Sequence, residues 1–250
     1  MATQPQAAPP LPLFYRNLVP LSSELHAGFG LKSRDNLEFA RPTHAVPITV
    51  DEFALAQRFY PIVFGTDQVA VPLALVGLRE GENLFIEADG QWRPRTYIPA
   101  YIRRHPFMLA RLQPDAQVLS LVFDDSWGLV AEDGEQKLFE GTEPSEVTRS
   151  ILKFCEEFEA AVARTRGFME ELNKLGLLME GQASIQNPGM AEPANFSGFR
   201  MVDEKKLQNI RGDQARKMVQ NGMMGLIYAH LFSLGQMREL FADLQSRPAA

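Results

Sequence analysis

The sequence predicts an α+β protein: a mixed, largely antiparallel β-sheet region in the N-terminal part, packed on a helical C-terminal region. Three observations carry this. Short apolar runs bounded by turn signals recur up to about residue 142. Beyond it, apolar residues return at three- and four-residue steps. No apolar stretch reaches the roughly 20 residues that a membrane-spanning helix needs. The expected layout is a disordered tail over 1–13, a β-rich region over 14–142 and a mainly helical region over 143–250, joined as one compact unit.

The tail is rich in Pro, Ala and Gln. Ala45-Val46-Pro47-Ile48-Thr49-Val50 reads as a strand, with Asp51 capping a helix over 52–58. Pro61-Ile62-Val63-Phe64 and the run 71–78 read as further strands. Gly81-Glu82-Asn83 turns into Leu84-Phe85-Ile86, and Asp89-Gly90 turns that strand back into Gln91-Trp92-Arg93. A second hairpin is expected from 118–123, 128–131 and 137–139, joined in part by Asp133-Gly134. Ser145 is a cap signal for a helical pattern running to about 178, in which Val147, Ile151, Phe154, Phe158, Ala161, Val162 and Thr165 share one face. Gly167 is a candidate break, and Asn173-Lys174-Leu175-Gly176 a terminus or kink. A loop is expected over 182–202, with a returning strand within 196–202. Asp203 and Asp213 read as caps, and 223–242 as one long apolar helix with Leu226, Ile227, His230, Leu231 and Leu234 on a buried face.

Composition narrows the function. The chain has 250 residues, 45% of them hydrophobic and 22% charged, which suits a globular core without disulfide or metal support. Net charge is −6, and the densest basic group (Arg93, Arg95, Arg103, Arg104 and Arg111) is too small for phosphate-driven binding, so no nucleic-acid partner is expected. The first ten residues lack the positive charge and apolar core of a secretory signal, and the expected location is cytoplasmic. The single cysteine, Cys155, lies on the face of Ile151, Phe154 and Phe158 and reads as a small buried hydrophobe.

Signatures of catalysis are weak. His26, His44, His105 and His230 are scattered, with no local metal-ligand pair, Cys-x-x-Cys or His-Glu-x-x-His, so neither a metal nor another cofactor is expected. Gly28-Phe29-Gly30-Leu31-Lys32-Ser33 lacks the spacing of a phosphate loop, and there is no Gly-x-Ser-x-Gly. Asp124-Asp125 reads first as a solvated turn. An enzyme with an unfamiliar site would draw on His44, His105, Arg103, Asp124 and Asp125. The most informative stretch is Gly90 to Phe107, where Trp92, Arg95, Tyr97, Tyr101, Arg103, Arg104 and His105 stand among three prolines. Rings and guanidinium groups together suit an anionic or π-rich guest, and prolines lower the ordering cost of binding. These seven residues are the expected ligand-binding set, facing outward. The competing expectation is that the rings pack inside while the arginines pair with nearby acids.

In this segment the chain also resembles the SapC family of bacterial proteins. The matching stretches are His44-Ala45-Val46-Pro47-Ile48-Thr49, Tyr60-Pro61-Ile62-Val63-Phe64, Gly81-Glu82-Asn83-Leu84-Phe85, Gly90-Gln91-Trp92 and the run from Tyr97 to Phe107. Val202-Asp203-Glu204-Lys205-Lys206-Leu207 and Gly225-Leu226-Ile227-Tyr228-Ala229-His230-Leu231 close it. Phe123-Asp124-Asp125-Ser126-Trp127 departs from the expected form. The resemblance implies a Gram-negative source, a link by name to surface-layer assembly, and neighbours such as outer-membrane receptors and tryptophan-halogenase-like flavoenzymes. It brings no catalytic residues. A peptide-transporter permease shares the name, and the missing membrane span argues against it. The resulting expectation is a non-catalytic binding or accessory protein recognising a small molecule, peptide or partner protein; the reading allows a homodimer. The alternatives are the unfamiliar enzyme and a structural surface-layer protein.

Overall fold

A computed structural model describes residues 11–67, 70–113, 118–186 and 192–247. In chain order the strands are β1 (Leu18–Pro20), β2 (Gly30–Leu31), β3 (Ala45–Pro47), β4 (Ile62–Phe64), β5 (Pro72–Leu75), β6 (Phe107–Ala110), β7 (Ser120–Asp124), β8 (Val130–Ala131), β9 (Gln136–Lys137), β10 (Phe139–Glu140), β11 (Glu143–Pro144), β12 (Leu178–Ile185) and β13 (Ala194–Val202). The helices are α1 (Phe53–Ala56), α2 (Ala100–Arg103), α3 (Glu146–Lys174), α4 (Glu204–Gln208), α5 (Gly212–Gln220), α6 (Met223–Ser233) and α7 (Gln236–Ser246). Strand pairings among the described residues are antiparallel, and the helices gather toward the C-terminus, so the fold is α+β.

The chain divides otherwise than at residue 142. One unit takes its residues from 1–34 and 104–155, the other from 35–103 and 156–250. Each is therefore assembled from two separated stretches. Hydrophobic periodicity reports secondary structure and is silent on such long-range pairing.

The first unit holds the sheets β1-β7-β6 and β8-β2-β9 and the pair β10-β11. The strands expected to form one hairpin belong to different sheets. β7 lies between β1 and β6, while β8 and β9 flank β2. Gly30 and Gly134 permit that close pairing, since a Cβ on either would meet the other's backbone. The core gathers Phe107, Leu109, Phe123, Val130, Leu138, Phe139 and Cys155.

The second unit holds the five-stranded sheet β12-β13-β4-β5-β3. The turn before α1 is capped by Thr49 and Glu52 as a capping box, rather than by Asp51. Ser145 caps α3, donated to by the Thr148 amide, and the helix runs unbroken through Gly167. It ends before Gly176, which takes the left-handed conformation (φ 64°). The helix is followed at once by β12, so residues 178–185 are strand where helix and then loop were expected; residues 187–191 of that loop lie outside the described residues, as do 1–10 of the tail. Asp203 caps α4, whereas Asp213 sits inside the first turn of α5. The long apolar helix is two, α6 and α7, separated at Leu234-Gly235.

α6 is tied to the sheet by polar side chains. His230 Nδ1 donates to the Ile62 carbonyl (2.7 Å), and its Nε2 accepts from the Val202 amide (3.1 Å). Ser233 Oγ accepts from the Ile62 amide (2.8 Å). These bonds reinforce the junction of β4 and β13, whose register partners are Arg200 and Phe64. Burial lowers the His230 pKa to about 4, which keeps the ring neutral as both bonds require.

Candidate functional site

The Gly90–Phe107 stretch is divided between the units after Arg103. In the second unit, Trp92 is buried, stacked on Phe85 (5.7 Å) and edge-on to Tyr60 (6.5 Å). Tyr101 is buried against Phe158. Tyr97 is half-buried, with its hydroxyl donating to Glu52 Oε1 (3.0 Å) and its carbonyl accepting from the Tyr60 hydroxyl. Burial, and then the charge of Glu52, push the Tyr97 hydroxyl up to about 12. Arg103 is exposed; it donates to the Ile98 carbonyl and the Tyr97 hydroxyl, with its guanidinium 5.6 Å from the Tyr97 ring centre. Arg95 is exposed and left-handed (φ 63°). Arg93 is ion-paired with Asp243 (2.6 Å) and Glu87 (3.3 Å).

Glu52 organises this half. It is buried and accepts from the Thr49 amide (2.8 Å), the Thr49 hydroxyl (3.0 Å), the Tyr97 hydroxyl (3.0 Å) and the Ala100 amide (2.7 Å). A carboxylate with its lone pairs so occupied fixes backbone, and here it fixes Tyr97 and the start of α2.

In the first unit Arg104 and His105 are buried, contrary to an outward-facing strip. The reason lies far away in sequence. Arg34 donates to His105 Nδ1 (2.7 Å) and to the His105 carbonyl (3.2 Å), and Tyr15 packs on His105 (5.1 Å) and beneath the Arg104 guanidinium (5.7 Å). His105 Nε2 lies 3.9 Å from Asp124 Oδ2, both side chains being fully buried. Burial, and then the charge of Arg34, lower the His105 pKa to about 3. Burial raises the Asp124 pKa, but hydrogen bonds from Ser126, Arg16 and Asn17 outweigh it and leave it lowered. Asp124 thus accepts from the amides of Arg16 (2.6 Å), Asn17 (3.3 Å) and Ser126 (3.0 Å) and from the Ser126 hydroxyl (2.6 Å). Asp124 is therefore buried, while Asp125 remains exposed in the turn that follows. A neutral imidazole beside a saturated carboxylate suits a structural node better than proton transfer at neutral pH. Of the residues weighed for an unfamiliar enzyme, His44 and Arg103 belong to the second unit, and His105, Asp124 and Asp125 to the first. Among the described residues no group of three or more His, Cys, Asp or Glu side chains is placed to hold a metal ion.

A concave site lies in the second unit, at residues outside the expected ligand-binding set. It is a cleft of about 580 Å³, within the size range of ligand pockets. Arg164, Gly167, Phe168 and Glu171 line it from one face of α3, Val50 and Asp51 from the capped turn, and Lys217, Asn221, Met223 and Leu226 from α5, its end and α6. The turn is held on α3 by Thr165, whose hydroxyl accepts from the Val50 amide (3.0 Å) and donates to the Ala161 carbonyl (2.7 Å). Arg164 meets Asp51 in a forked ion pair (2.5 and 3.1 Å). The available sequence signal was Gly167, a glycine inside a strong helical pattern with no break.

These features define an α+β protein of two units, each organised around a buried carboxylate, and among the described residues no helix is long and apolar enough to cross a membrane. The chain belongs to the SapC family, whose profile matches residues 21–240. No curated protein and no solved structure matches the chain.

Proposed function

We propose that this SapC family member is a non-catalytic binding or accessory protein that recognises a small molecule, peptide or partner protein. One observation carries the reading. Half-buried Tyr97 is held by the Glu52 node and in turn accepts from exposed Arg103, with Arg95 exposed in the same stretch. A guanidinium over a ring already fixed in place offers an anionic or π-rich guest a contact whose ordering cost is spent in folding. Trp92, Tyr101, Arg104 and His105 enter the proposal as buried residues of the same stretch rather than as contact groups. The setting we propose is a cytoplasmic protein linked to surface-layer or outer-membrane uptake systems; the resemblance to the family supports the link.

Thermal-shift screening with peptides, aromatic carboxylates and nucleotides tests the proposal. Arg95→Ala and Arg103→Ala both lie at exposed positions and should fold. A ligand that raises the wild-type melting temperature should lose at least tenfold in affinity in the double variant, about 1.4 kcal/mol. Equal binding by wild type and double variant would remove this surface from the proposal.

A further inference from the structure

The cleft in the second unit is separate from the Arg95–Tyr97–Arg103 surface, and three features bear on its use. Its lining includes the apolar side chains of Val50, Phe168 and Met223, all buried, and of half-buried Leu226. These can take up an apolar body by removing it from water.

Its charged rim is unevenly committed. Asp51 and Arg164 neutralise each other in a short forked pair. Glu171 instead stands between two lysines at the limit of ion pairing, Lys174 at 3.8 Å and Lys217 at 4.0 Å. Only Lys217 of these two lysines lines the cleft, and its acid partner is shared with Lys174 outside it. Lys217, the lysine that lines the cleft, has 69% of its side chain exposed. A loosely held, flexible ammonium over an apolar floor suits a single anionic head group.

Gly167 gives an independent indication. It lies inside a 29-residue helix, two turns before its end, where glycine is unfavourable. Its backbone is not in the left-handed region, and a Cβ there would meet nothing within 4 Å. Neither packing nor backbone geometry calls for glycine. What its missing side chain does is keep the α3 wall of the cleft open.

We infer that this cleft binds a small amphiphile with an apolar body and one carboxylate, the body resting on Val50, Phe168, Met223 and Leu226 and the carboxylate meeting Lys217. Titration calorimetry on the full chain tests this, with 4-phenylbutyrate as the probe and uncharged 4-phenylbutanamide as its match. Phenylbutyrate should bind the wild type, and the amide about tenfold more weakly. Lys217→Gln, at an exposed position, should weaken phenylbutyrate about fivefold and leave the amide unchanged. Gly167→Leu should abolish binding of both by filling the cleft. Any one of three results overturns the inference: no binding of phenylbutyrate to the wild type, equal binding of acid and amide, or undiminished binding to Lys217→Gln. The Arg95→Ala, Arg103→Ala double variant should bind phenylbutyrate as the wild type does; a loss there would assign the probe to the other surface and likewise overturn the inference.

Discussion

In the first unit the longest strand has five residues, and the buried carboxylate Asp124 completes what the ladder leaves undone, accepting the Arg16 and Asn17 amides just before β1 begins. In the second unit strands of eight and nine residues reach into a five-stranded sheet, and its weak junction between β4 and β13 is bridged by neutral groups, His230 and Ser233. Short strands leave backbone donors unpaired, and a charged acceptor can satisfy several at once. A longer sheet needs only local repair, which an uncharged ring supplies at a smaller desolvation cost. The β1 edge of the first unit should therefore be more sensitive to loss of Asp124 than the β4–β13 junction of the second is to loss of His230.

Asp124→Ala should show the largest effect. It strands the donors that Asp124 satisfies, the Arg16 and Asn17 amides among them, with an expected loss of about 3–5 kcal/mol. Hydrogen exchange read by mass spectrometry should show lost protection in 15–34 and 104–155. Equal loss across 35–103 would mean that the units unfold as one and that the contrast has no energetic meaning.

A middle-sized effect belongs to His230. Its folded pKa is lowered to about 4 from 6.5, so the unfolded chain takes up the proton first. The stability it contributes is full above about pH 6.5 and declines as pH falls toward 4, by about 3 kcal/mol in all. His105 has the same sign in the first unit, with its window extending to about pH 3. Denaturant unfolding at pH 7 and pH 4.5 should therefore show a smaller acid loss in His230→Gln than in wild type, because glutamine can still donate to Ile62 and accept from Val202. An unchanged acid loss would take His230 out of the comparison.

The smallest effect should be a gain. Gly167→Ala, with open space around the new Cβ, should raise stability by about 0.5–1 kcal/mol in thermal or urea unfolding. A decrease would show that the α3 backbone at 167 is constrained in a way its surroundings do not explain.

Much of the fold was legible where the signal is local. The stripe from Val147 to Thr165 marked α3, Ser145 and Asp203 marked caps, and Gly176 marked an end, because each depends on residues within one or two turns. The cap at Thr49 was legible too, since Thr49-x-x-Glu52 has the capping-box spacing, although Asp51 offers the more obvious cap residue. Strand partners were not legible: β7 finds β1 about a hundred residues back, and no feature of either strand names the other. The same distance hid the interior placement of Arg104 and His105, which depends on Tyr15 and Arg34. Arginine and histidine read as surface groups until their partners are known. The cleft was illegible for a related reason. Arg164, Gly167 and Glu171 share a face at helical spacing, but Asp51 and Lys217 reach it only through tertiary structure.

The interleaved make-up of the two units has a consequence for synthesis. As the nascent chain leaves the ribosome, residues 1–34 and then 35–103 appear as unfinished halves of different units, and 104–155 complete the first before 156–250 complete the second. The first unit must close while the opening half of the second waits without its partners, hydrophobic strands β4 and β5 included. Translation that stalls between residues 155 and 202, before β13 is made, should leave that sheet open to aggregation or to chaperone capture.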